Sequence, residues 1–200
     1  MNRSTYAGSV ISCLIAIVML VCALPAAAQE DEPEPGTNAA AELPAATVFG
    51  EGWVQIDIIS PDSISPSGFT MSPDVFREGA AGIYAGPEGS QAIVVRFLLT
   101  ENRVAIRGSW EAANELLDYM TVFETTDYER DRELETMTPP EGCLEANRKE
   151  GTARIFRTPF GATLCAADDD SLFLVVLYGP VNGKTGVAAS DAVVSVLVAP

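Results

Sequence analysis

Between Ala92 and Met120 the apolar residues change period, and that change constrains the fold more than any other feature. Ala92 to Leu99 (AIVVRFLL) is rich in β-branched residues and bounded by Gly89-Ser90 and Glu101-Asn102, which predicts a strand. Immediately after it, Trp110, Ala113, Leu117 and Met120, with Leu116 and Phe123 beside them, recur at helical spacing. Gly108-Ser109 supplies the expected N-cap, and Glu111 sits where a helix dipole favours a carboxylate. The chain therefore contains a strand followed by an amphipathic helix.

Short strands dominate the rest. Val54 to Ile59 alternates and reads as a strand, with a second expected over Gly82 to Ala85; Pro61, Pro66 and Pro73 mark the stretch between as irregular. Thr125 to Glu135 is crowded with charge and Pro139-Pro140 follows it, which predicts an exposed connection. Strands are expected again at Ala153 to Arg157, Thr163 to Ala166 and Leu172 to Tyr178, the last apolar enough to be central and buried on both faces. Ser190-Asp191 is placed to cap a short closing helix through Leu197. Strands without regular alternation with helices predict an α+β fold: a mostly antiparallel sheet packed with one amphipathic helix and a short C-terminal helix.

The amino terminus sets the compartment. Arg3, the apolar run Val10 to Leu24, then Pro25 and Ala26-Ala27-Ala28 have the order of a secretory signal peptide, residues 1–28, cleaved after Ala28. Two other readings stand beside it. Cys22 would become a lipidated first residue in a lipoprotein, although Val21 stands where such signals carry a small residue. The run is also nearly long enough to remain as an uncleaved spanning helix. Residues 29–46 (QEDEPEPGTNAAAELPAA) offer little to bury and read as a disordered acidic tether, leaving 47–200 as one globular domain in the periplasm or outside the cell.

Composition narrows the function by exclusion. With 28 acidic and 12 basic residues the net charge is −16, the opposite of a surface for nucleic acid or anionic membrane. There is no histidine, which removes Ser-His-Asp and Cys-His catalysis and imidazole ligation of metals. Cys143 and Cys165 remain after removal of the leader, an even count in an oxidising compartment, and predict a structural disulfide; the pair lacks the C-x-x-C spacing of a redox site. Gly179 to Thr185 (GPVNGKT) follows a strand like a phosphate loop, but has one residue too few between its glycines. Asp168, Asp169 and Asp170 carry calcium-compatible oxygens without the alternate spacing of a calcium loop; whether they bind a cation is left open. Glu111 with Glu115, and Glu129 to Glu133, read as solvated surface.

The order of elements, a leading strand after Gly52-Trp53, a strand then a helix, hairpin strands and a closing helix, resembles the PsbP-like and DcrB-like exported α+β domains. That resemblance implies a non-catalytic extrinsic or envelope protein and transfers no site residues. The expectation is a monomeric exported binding or interaction module, with a protein or small molecule as partner and no catalytic residue, metal or cofactor assigned. A hydrolase using Asp and Glu carboxylates alone, and an envelope structural or stress protein, are the alternatives.

Overall fold

In a computed structural model, the sheet grows around the apolar strand predicted at its centre. Residues 38–64, 69–100, 103–121, 133–152, 158–168 and 170–199 are described, all within the unit Pro35–Pro200. In chain order the main elements are α1 (Asn38–Ala41), β1 (Val54–Ile59), β2 (Phe76–Ala85), β3 (Gln91–Leu99), α2 (Arg103–Met120), β4 (Glu145–Thr152), β5 (Pro159–Asp168), β6 (Ser171–Tyr178) and α3 (Val187–Leu197). The six strands form one sheet in the order β1-β2-β3-β6-β5-β4, every neighbouring pair antiparallel. The fold is α+β.

β6 lies between β3 and β5, and Ser171 to Leu177 are all buried. Alternation along the strands divides the core in two. Val95, Phe97, Leu99, Leu164, Leu174 and Val176 pack with Ala113, Leu116 and Leu117 of α2. On the other face Val94, Cys165, Val175 and Leu177 pack with Ala189, Val193 and Val194 of α3. Each fully buried Leu or Val of this kind contributes about 1.5–3 kcal/mol.

Both helices begin earlier than their apparent caps. α2 starts at Arg103, so Gly108 and Ser109 lie inside it; Gly108 costs about 1 kcal/mol relative to Ala, offset by tertiary packing. Ser109 is fully buried there. α3 starts at Val187, and Ser190 and Asp191 lie one turn in. Its cap is supplied from another strand: the Glu150 carboxylate accepts from Val187 N at 2.9 Å. Gly161 of β5 permits this arrangement, because a Cβ there would lie 1.9 Å from the Gly186 carbonyl carbon.

The stretch expected to be a tether ends sooner than residue 46. Ala39 is fully buried, its N–H donates to Glu78 Oε2 at 3.3 Å, Glu42 pairs with Arg96 at 2.5 Å, and the Pro44 carbonyl accepts from Tyr84 at 2.8 Å. Residues 38–49 thus form a strap over β2 and β3, held by three alanines, Leu43 and Phe49 where the composition suggests only acid and proline. The expected strand at Ala153 to Arg157, Phe123 and residues 125–132 lie outside the described residues. β4, directly before that expected strand, was not anticipated. Leu134, in the stretch expected to be exposed, is buried.

Candidate binding site

Three turns meet at one end of the sheet. Phe49 to Trp53 leads into β1, Pro87 to Ser90 joins β2 to β3, and Pro180 to Gly183 follows β6. The Trp53 indole packs over Gly86, where a Cβ would lie 2.3 Å from Cε2, so a glycine is required at that close approach. Phe49 stands 5.1 Å from Trp53 and 4.7 Å from Tyr84, centroid to centroid, and forms an aromatic floor. Burial pushes the Tyr84 hydroxyl up to about 12. Asn182 Nδ2 donates to Val48 O at 2.9 Å and ties the third turn to the first.

These turns enclose an open cavity of about 320 Å³, lined by Glu51, Trp53, Pro87, Glu88, Ser90 and Asn182 among others. Glu51 and Glu88 are exposed carboxylates at its rim, and no Lys or Arg lines it. Glu88 adopts φ 56° and ψ 24°, a left-handed conformation that costs a residue with a Cβ about 1–2 kcal/mol. Ser90, only 3% exposed, is the most buried polar residue of the lining.

The chain runs directly from this cavity into the β1 edge. Val54, Ile56 and Ile58 are 54%, 45% and 46% exposed. Among the described residues β1 pairs only with β2, and its register shifts between Gln55 and Asp57, a bulge that keeps the edge from presenting a regular ladder. A large apolar side chain standing in water is ordinary singly; three within five residues of an edge strand form a local apolar patch.

At the opposite edge the polar residues of β4 are consumed in holding the fold. Asn147 donates to Asn114 and Lys149 to Asp118, both on α2. Arg148 donates through Nε to Asp191 Oδ1 and Oδ2 at 3.1 and 3.0 Å, through Nη1 to Met137 O at 3.2 Å, and through Nη2 to Thr138 O at 2.7 Å. Thr163 donates to Asp191 Oδ1 at 2.7 Å and shares a 2.8 Å hydrogen bond with Ser190. Two hydroxyls beside a carboxylate invite comparison with a nucleophile and its base. Here both are buried and bonded within the network, which makes this a structural clamp.

Of the residues singled out by sequence, Cys143 and Cys165 are joined by a disulfide that ties the segment before β4 to β5, worth about 3 kcal/mol in the loop-entropy model. Gly179 to Thr185 is a hairpin: Val181 and Lys184 pair across Asn182 and Gly183, both at positive φ as a type I′ turn demands. The helix N-terminus that follows is taken by Glu150 rather than open to phosphate. Glu111 pairs with Arg107 at 3.3 Å on an exposed helix face, where Glu115 is also exposed. Asp169 and residues 129–132 lie outside the described residues, and Asp168 and Asp170 flank the β5–β6 turn. Among the described residues no three Asp, Glu or Cys side chains gather as a metal site. Glu51, Glu88, Ser90 and Asn182 were not anticipated as neighbours, because they come from three distant turns; the only sequence signal was the Gly-rich character of each. Comparison with protein-family models, curated proteins and solved structures gives no match.

Proposed function

We propose that this chain is an exported, non-catalytic binding module whose partner engages the β1 edge and the cavity beside it. The observation that carries the reading is the exposed apolar series Val54, Ile56 and Ile58 on an edge strand continuous with that cavity. With the bulge interrupting the backbone ladder of this edge, the exposed apolar side chains supply the contact area for a partner. The disulfide supports an oxidising compartment, reached through the leader at residues 1–28 and cleavage after Ala28.

A photo-crosslinking side chain placed at Ile58 in the producing cell tests the reading, with the same group at Glu115 on α2 as control. The expected result is one adduct of defined mass from position 58, lost when Ile56→Lys is added, and none from 115. Equal labelling at both positions, or substrate turnover abolished by Glu51→Gln or Glu88→Gln without loss of folding, would overturn it in favour of diffuse contact or of carboxylate catalysis.

A further inference from the structure

We infer that the cavity between the three turns recognises an alkylammonium or alkylguanidinium group. The inference rests on the reading of this end of the sheet as a binding site and names the chemistry that the site selects.

The lining is one-sided in charge. Glu51 and Glu88 place two carboxylates at the rim with no cationic side chain to neutralise them inside the cavity. Deeper in, Ser90 is 97% removed from solvent and belongs to the cavity lining. A serine hydroxyl can accept from an N–H donor that enters the cavity. Asn182 gives one of its two Nδ2 hydrogens to Val48 O, which fixes the amide and leaves its Oδ1 as an acceptor for a ligand. Carboxylates, a hydroxyl and an amide oxygen all accept hydrogen bonds, and the ligand that satisfies them together carries several donors and a positive charge. Phe49, Trp53, Pro87 and Pro180 give the remaining wall an apolar character suited to an alkyl stem. Trp53 adds attraction for a cation that reaches its ring.

Size and field agree with that chemistry. A cavity of about 320 Å³ is at the small end of ligand sites and holds a head group with a short stem. A sugar would need an open aromatic platform, whereas Trp53 is 8% exposed. A carboxylate or phosphate would meet both glutamates, and the net charge of −16 repels anions further while attracting cations.

The test uses the whole exported protein. n-Butylguanidinium and n-butylammonium chloride are titrated while amide shifts of Gly50, Ser90 and Gly183 are followed by NMR, with butyrate and methyl glucoside as controls. Saturable shifts with the two cations, weakened about tenfold by either Glu51→Gln or Glu88→Gln and weakened by added salt, are expected. Ser90→Ala is expected to weaken binding while leaving the salt dependence unchanged. Equal response to butyrate or glucoside, or cation binding unaltered in both glutamine variants, overturns the inference. An acetylated Thr-Val-Arg-Val-Thr amide, compared with its Arg→Gln counterpart, identifies the source of the group. Binding at least tenfold tighter than butylguanidinium, lost with Gln, assigns it to a protein partner's side chain; affinity equal to butylguanidinium assigns it to a free amine. Absence of any cation response, with crosslinking at Ile58 intact, overturns this inference and leaves the edge-binding reading standing.

Discussion

At one end of the sheet β4 carries EANRKEGT and is pinned on both of its faces, whereas at the other β1 carries VQIDII and stands open to water. Side-chain polarity alone would reverse these places, setting the apolar strand inside and the charged one at an unguarded edge. The difference lies in partners. β4 lies between α2 and α3 and spends Asn147 and Lys149 on one, Arg148 and Glu150 on the other. Among the described residues β1 has no such pair of helices, and its apolar side chains stand exposed. Polar residues at the closed edge therefore serve stability, and apolar residues at the open edge are free to serve the association proposed above.

This contrast is broken most forcefully at Asp191. Asp191→Ala strands the Arg148 guanidinium, whose side chain is 2% exposed, and is expected to cost about 3–5 kcal/mol in urea unfolding. A loss below about 1 kcal/mol would show that β4 is held by its backbone ladder instead. Next comes the strap beside the open edge. Tyr84 titrates near 12 in the folded chain against about 10 when unfolded, so its contribution is complete below pH 10 and is lost as pH rises through 12. Stability is expected to fall by roughly 3 kcal/mol across that window, and Tyr84→Phe to remove this part of the slope. The smallest effect belongs to β1: Ile58→Thr is expected to change stability by less than about 0.5 kcal/mol, because the side chain is already half in water. A cost above about 1.5 kcal/mol would place Ile58 in the core and remove the contrast.

Legibility followed the same division. β3, α2 and β6 were readable because burial imposes a period on their apolar residues, and the bounds of β1 were found from Val54, Ile56 and Ile58 even though those side chains are exposed. β4 left no such trace, since hydrogen bonds to Asn114, Asp118 and Asp191 impose no hydrophobic period. Gly108-Ser109 and Ser190-Asp191 looked like caps because small polar residues favour helix starts; the first pair lies within α2 and the second in the buried clamp. The disulfide was accessible by counting, whereas the cavity was not, because residues 51, 88 and 182 become neighbours only after the sheet has formed.

The position of β6 has a consequence for assembly. β6 follows all the other strands in the chain yet forms the seam between β3 and β5, so the two halves of the sheet have no common strand until β6 has been synthesised. Loss of β6 would not trim an edge. It would divide the sheet into a three-stranded meander, β1-β2-β3, and a separate hairpin, β4-β5, whose joining waits on contacts distant in sequence.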